Sequence, residues 1–314
     1  MLRSCKSKPS LQVYRQQKAF GIVMKTKRPF YLAAVAALLS GLLLLTGCAS
    51  NAAPPTPVNV QLSWLHGSEF AGFYMAQDKD YYTESNLQVQ LHPSGYDDQG
   101  NFIDPLVEVT TGKADFGVLD GANLLVARDN GATVVAIASI YQLHPVSFTS
   151  LAEKNIVSPQ DLVGKRVAVS GVSLNIYNAL LSSQGIDPTT VDYVERTDFT
   201  LKPLLDNEVD VIDAWITNEA IALTAQGHDV NNILASDYGI EAYPDVIFTT
   251  EELIAKNPEL VERFLRATLR GLQNAADNPE EAAKLAVSYA PEELTIEAET
   301  AAMQQSLPLF NPSG

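Results

Sequence analysis

The sequence predicts an α/β fold of two similar lobes, on three observations. Strand-like and helix-like patterns alternate from residue 58 onward, the second half repeats the order of the first, and 314 residues is about the length of two domains. Strands alternating with amphipathic helices indicate mostly parallel sheets covered on both faces.

The first 47 residues read as a leader and stand outside that fold. They contain eight basic residues (Arg3, Lys6, Lys8, Arg15, Lys18, Lys25, Lys27, Arg28) and no acid, and an apolar run from Phe30 to Leu45 follows. A positive segment before an apolar stretch too short to span a bilayer comfortably is the pattern of an export signal. Met24 opens a normal basic segment of its own, "MKTKRPF", and is a second candidate start. "LTGC", Leu45 to Cys48, closes the apolar run, and "ASNAAPPTP", Ala49 to Pro57, has the small, proline-rich composition of a tether.

Cys5 and Cys48 are the only cysteines, so past the leader one remains, which excludes a disulfide and a cysteine-based zinc site there. The whole chain carries a formal charge of −16; without the leader, 13 Lys and Arg face 37 Asp and Glu. A surface that acidic repels nucleic acid and favours a neutral or cationic small molecule.

In order, the strand-like runs are "VNVQLSW" (58–64), "LQVQLHP" (87–93), "ADFGVL" (114–119), "ATVVAIASIY" (132–141), "KRVAVSG" (165–171), "VDYVER" (191–196) and "VDVIDAWI" (209–216). Helical spacing lies between them, at 69–80, 103–111, 122–130, 174–183, 201–206 and 219–225. The stretch 110–131 matches 205–227 in outline: a helix end, a strand, a polar turn, and a helix ending in glycine. "IYQLHPVSF" (140–148) and "SDYGIEAYP" (236–244) read as crossings between lobes. From Thr249 the chain reads as helical, with Thr250 as a cap and proline at the first turn after Asn257 and Asn278.

Trp64 with Phe70-Ala-Gly-Phe-Tyr74, "KADFGVLDGANLLVARDNG", "PQDLVGKRVAV", "DAWITNEA", "SDYGIEAYPDVIFTTEELI" and "NPELVERFLRATLRG" resemble the solute-binding proteins of bacterial ABC importers. Among these they are most similar to the family that binds thiamine pyrimidine precursors and riboflavin, and "LTGC" resembles the lipobox of bacterial lipoproteins. The resemblance implies a two-lobed type II periplasmic-binding-protein fold with the ligand in the interlobe cleft. Lobe 1 would take residues 58–140 and 238–314, and lobe 2 residues 141–237. It further implies a lipid anchor on Cys48 at the extracytoplasmic face of the cell membrane. The partners would be an ABC permease with its ATPase, with no nucleic acid, no contact with membrane except through the anchor, and a monomeric state. Eukaryotic pyrimidine synthases share the fold but carry a lysine and a histidine where this chain has Leu119 and Asn123, and a cysteine-rich run where it reads "GIEAYPDVIF". Without that lysine there is no Schiff base for pyridoxal phosphate, so no enzyme and no cofactor are expected.

Ligands of open α/β sheets sit beyond the carboxyl ends of strands, which selects the candidate contacts. Trp64 ends the first strand, and Phe70 and Tyr74 share a face of the first helix; Phe73 reads as core. His66 has no second histidine at metal-ligand spacing, which leaves it a loop residue able to hydrogen-bond a ligand. Asp120 and Gly121 lie at a strand-to-helix turn, where they either hold a ligand or cap the helix. Asn175 and Tyr177 occupy the matching turn of lobe 2. "DAWITNEA" contributes Trp215 to stack on a heterocycle and Thr217, Asn218 and Glu219 to hydrogen-bond it, with capping by Thr217 or Asn218 as the local alternative. Tyr141, Gln142 and Tyr238 at the crossings complete the set, Tyr141 serving hinge packing equally well. Pyrimidine binders of the family commonly carry histidine where Phe70 stands. That exchange, with the other aromatics, points to riboflavin as the transported ligand, its hydroxylated tail on Asp120, Asn175 and Gln142. A formylated or hydroxymethyl aminopyrimidine precursor of thiamine is the alternative.

Overall fold

The computed structural model describes residues 53–97 and 99–310. The leader, Cys48 and the first part of the tether lie outside the described residues. The chain runs β1 (Thr56–Gln61), a 3-10 turn (Ser68–Phe70), α1 (Ala71–Asp78), α2 (Tyr81–Glu84), β2 (Leu87–His92), α3 (Pro105–Thr110), β3 (Phe116–Leu119), α4 (Gly121–Asp129) and β4 (Val134–Ser139). There follow β5 (Val146–Leu151), β6 (Arg166–Val169), α5 (Leu174–Ser183), β7 (Asp192–Glu195), α6 (Lys202–Leu205), β8 (Val211–Trp215), α7 (Glu219–Ala225) and β9 (Val230–Leu234). The chain closes with β10 (Val246–Thr250), α8 (Glu251–Lys256), α9 (Pro258–Asp277), α10 (Pro279–Tyr289) and α11 (Ile296–Phe310).

Two five-stranded sheets result, ordered β2-β1-β3-β10-β4 and β7-β6-β8-β5-β9. In each, three neighbouring strands are parallel and one inserted strand is antiparallel to both of its neighbours: β10 between β3 and β4, and β5 between β8 and β9. Both inserted strands lie just after a crossing, where the chain enters a sheet from the opposite lobe and therefore runs against it. Neither was visible as a strand in the sequence, nor was β9. The sequence of β5, "VSFTSL", is hydroxyl-rich, yet Ser147, Thr149 and Ser150 are fully buried. Their hydroxyls are satisfied in place: Ser147 and Thr149 bond each other at 2.9 Å, and Thr149 donates to Asn232 of β9 at 2.7 Å. A buried polar side chain with its partners in place costs little, and it hides a core strand from any reading by hydropathy.

The helices follow their local signals. Thr250 accepts from the Leu253 amide at 3.0 Å and Asn257 from that of Leu260 at 3.2 Å, so two side chains stop and restart the backbone at α8 and α9. Along α9, Leu260, Phe264, Ala267, Gly271 and Ala275 recur at helical spacing and form its buried face. Phe264 stacks on Phe116 of β3 with centroids 3.9 Å apart. Burying such a ring contributes about 2–3 kcal/mol.

α9 presses on α1 at a glycine pair. A Cβ added at Gly271 would overlap the Gly72 carbonyl oxygen and lie 2.8 Å from the Ala76 nitrogen, and one added at Gly72 would overlap Leu272. The two backbones touch, which fixes the approach of α1 and thereby the turn that leads into it. Gly271→Ala therefore forces the helices apart. Overpacking of this kind costs about 2 kcal/mol, to be read as a lower urea midpoint at unchanged slope.

Candidate functional site

The carboxyl ends of β1 and β3 in one sheet and of β6, β7 and β8 in the other come together at the crossings 140–145 and 235–245. On the second-sheet side the organising group is Arg196, just past β7, with a side chain only 3% exposed. It donates to Asp213 Oδ1 at 3.1 Å, to Glu219 Oε1 at 3.4 Å, and to the carbonyls of Asp198 and Phe199 at 3.3 and 3.2 Å. Ser170, at the end of β6, donates to Asp213 Oδ2. The second oxygen of Glu219 accepts from the Trp215 amide at 2.9 Å. Buried charges persist where they are paired and hydrogen-bonded, and here the pairing links β6, β7, β8 and the start of α7. Burial nevertheless holds the Glu219 carboxyl above its usual range, with Arg196 pulling the other way.

On the first-sheet side, Trp64 lies 5.8 Å from Phe102 and 6.5 Å from Tyr96, centroid to centroid, and reaches Phe199 of the other lobe at 5.3 Å. Trp215 packs the opposite way, against the first core, and lies 5.9 Å from His144 and 6.1 Å from Tyr141 at the crossing. At a third point Asn175 donates to Asn123 at 3.1 Å. Each lobe therefore extends side chains onto the other.

Several expected contacts have other duties. Phe70 has no exposed surface and belongs to the first core, so it offers no face to a ligand. Tyr74 is likewise buried; its hydroxyl bonds His66 Nδ1 at 3.0 Å and its ring stacks on Tyr289 at 4.1 Å, which removes both Tyr74 and His66 from ligand contact. Tyr141 is fully buried, bonded to Ser306 and stacked on Phe310, which makes it hinge packing. Tyr177 packs against Phe148 in the second core, and burial pushes its phenol up to about 12. Tyr238 packs against the same core.

Asp120 caps α4, accepting from the Ala122 and Asn123 amides at 2.9 and 3.2 Å, and its other oxygen meets His144 Nε2 at 2.9 Å. Gly121 spends its amide on the Tyr243 carbonyl at 2.9 Å, and a Cβ there would lie 2.6 Å from that oxygen, so the glycine answers a close backbone approach. Gln142 is exposed, and Asn175 is occupied by Asn123. Thr217 is buried, Asn218 is exposed, and neither side chain caps α7. Trp64, Trp215 and Glu219 are partly exposed at the junction, as are Asp120 and Tyr238.

Two carboxyls there were not anticipated. Glu69, in the 3-10 turn, is half-buried. Burial pushes it up to about 8, with Asp245, Glu299 and Glu219 adding repulsion. Asp245, in the second crossing, accepts from Ser63 Oγ at 2.7 Å, and burial pushes it up to about 6 against the pull of that bond and of His144. Among the described residues, no group of three or more His, Cys, Asp or Glu is placed to hold a metal ion.

The family model described as NMT1/THI5 like matches residues 67–282. The chain belongs to the NMT1/THI5-like family. Among curated proteins, the riboflavin-binding protein RibY of Chloroflexus aurantiacus is 29% identical over 86% of this chain and 82% of its own. The formylaminopyrimidine-binding protein of Halalkalibacterium halodurans is 27% identical over 79% of this chain and 76% of its own. Among solved structures, the periplasmic aliphatic sulphonate binding protein SsuA from Escherichia coli superposes with a TM-score of 0.65 at 15% identity, covering 80% of this chain and 84% of that one. The NMT1/THI5-like chain therefore has the periplasmic-binding-protein fold.

The acid pair makes stability depend on pH in a stated direction. An acid whose folded pKa is raised keeps its proton in the folded state after the unfolded chain has released it, so folding is favoured at low pH. Stability therefore falls as pH rises from about 4.5 to about 8 for Glu69, and from about 3.8 to about 6 for Asp245. Urea midpoints measured across this range decline in the native protein, and Glu69→Gln removes the decline between about pH 6 and 8.

Proposed function

We propose that this protein is the substrate-binding component of an ABC importer and that it carries riboflavin. The observation that favours a flavin over a single pyrimidine ring is the pair of indoles at the junction. Trp64 has Phe102 and Tyr96 beside it and Phe199 opposite, and Trp215 has Tyr141 and His144. Aromatic pairs at such distances contribute about 0.5–1.5 kcal/mol each beyond area burial, so a tricyclic ring gains where a small ring leaves one indole idle. The name of the RibY relative points the same way. The likeness to a formylaminopyrimidine-binding protein supports a second reading, a thiamine pyrimidine precursor as ligand.

No catalytic role is proposed. Leu119 and Asn123 stand where the pyrimidine synthases have lysine and histidine, and Asp120 and Glu219 are engaged in capping and in an ion pair. Hinge closure of the two lobes on the ligand, followed by release to a permease, is the expected cycle. The leader and Cys48 support attachment by a lipid anchor outside the cytoplasmic membrane.

Three outcomes are expected. Riboflavin fluorescence is quenched at micromolar protein; absence of quenching together with a thermal shift by an aminopyrimidine would move the assignment to the thiamine precursor. Trp215→Ala and Trp64→Ala each weaken flavin binding at least tenfold, about 1.4 kcal/mol, and unchanged titrations would remove those rings from the site. Cys48→Ala protein leaves the membrane fraction, whereas continued anchoring would count against the lipobox.

A further inference from the structure

We propose that Glu69 and Asp245 form the subsite that takes the hydroxylated chain of the ligand, each carboxyl meeting hydroxyls that both donate and accept. The proposal rests on the flavin reading and adds which residues hold the part of the ligand that is not flat.

Of the neighbouring acids, Glu219 and Asp120 have both oxygens occupied and Glu299 has one. Glu219 is held by Arg196 and the Trp215 amide, and Asp120 by two helix amides and His144. Glu299 accepts from the Ser68 amide at 2.8 Å. What remains is the Glu69 carboxyl, folded back over Gly67 with its own backbone N–H beside it, and the second oxygen of Asp245. That oxygen is buried, in a residue 4% exposed, and has no hydrogen-bond partner among the described residues. A buried carboxylate oxygen left unpaired is costly, so its persistence points to a donor supplied from outside the chain. Asp245 accepts from Ser63 at 2.7 Å, and Ser63 opens the turn that carries Glu69, so the two carboxyls sit against one turn.

The surroundings select the ligand chemistry. Glu69 is faced by Asp245, Glu299 and Glu219 and by the phenols of Tyr74 and Tyr141; Asp245 is faced by Asp120, His144 and Ser63. With acids on several sides and Arg196 committed to Asp213 and Glu219, a proton stays on Glu69 at neutral pH. A protonated carboxyl beside an ionised one presents a donor and acceptors together, which complements a hydroxyl. A cationic group needs acceptors alone and would gain as that proton left.

The test compares riboflavin with lumiflavin, which has the same ring system and a methyl group in place of the ribityl chain, by fluorescence titration from about pH 6 to 8.5. The native protein is expected to prefer riboflavin at least tenfold and to lose that preference as pH rises, while lumiflavin binding stays level. Glu69→Leu should bring riboflavin down to the lumiflavin affinity; Glu69→Gln, which still donates and accepts, should keep the preference and flatten its pH dependence; Asp245→Asn should reduce the preference. Equal binding of the two flavins by the native protein, an unchanged preference in folded Glu69→Leu, or riboflavin affinity rising with pH would overturn the subsite and leave the flavin assignment standing. No quenching by either flavin would overturn the flavin assignment and this subsite with it.

Discussion

Arg196 is the group on which the cleft side of the second lobe depends. The ends of β6, β7 and β8 would otherwise be three separate loops; the carbonyls after β7 and Asp213 of β8 turn toward one buried guanidinium, and Ser170 after β6 joins them by donating to Asp213. The planar, always-charged fork of arginine suits this role where lysine would not, because it addresses Asp213 and Glu219 at once in fixed directions. The same pairing sets the Trp215 indole: Glu219 holds the Trp215 amide, and Arg196 holds Glu219. Loss of the cation would leave two buried carboxylates unpaired, a penalty of roughly 3–5 kcal/mol in comparable networks.

The first lobe positions its indole by packing instead of charge. The glycine contact between α1 and α9 draws α1 against the sheet, and the turn 63–70 is carried with it. Ser94 reinforces the entry to that turn, donating its amide to the Trp64 carbonyl at 2.9 Å and its hydroxyl to the Leu62 carbonyl. Trp64 is therefore held by backbone on a rigid support, and its ring is left partly exposed. A site with one wall fixed by ion pairing and the other by close packing keeps its lining in place while the lobes move, because neither arrangement spans the hinge.

The alternation of strands and helices was legible because hydrophobic period reports burial directly, and the helices Leu174–Ser183 and Glu219–Ala225 lie where the spacing places them. β5 was not legible, since its core-facing hydroxyls mimic a loop. Of the candidate contacts, Trp64 and Trp215 were singled out because they stand at or just past strand ends, and Glu219 because it opens the helix that follows β8. Phe70, Tyr74 and Tyr141 could not be told from them: an aromatic side chain four residues along a helix faces either core or cleft, and only the packing of α1 against α9 and of α11 against the crossing decides it. Arg196 had a faint signal, as a cation ending a strand in a chain short of cations. Glu69 and Asp245 had none, since no local pattern brings a turn at residue 69 to a crossing at residue 245.

That long-range meeting also explains how so acidic a protein can suit a neutral ligand. Surface carboxylates are screened by salt within about 10 Å, so the net charge sets solubility more than recognition. Inside the junction the acids cannot all ionise: Arg196 balances Asp213 and Glu219, and Asp120 is held by helix amides and His144, but Glu69 and Asp245 have no cation of their own. Keeping a proton on Glu69 is the cheaper way to bury the pair at neutral pH, and it leaves one hydrogen-bond donor beside the ionised Asp245. On the proposed reading, the flanking carboxylates would disfavour anions and the retained proton would favour an uncharged, hydroxyl-bearing partner.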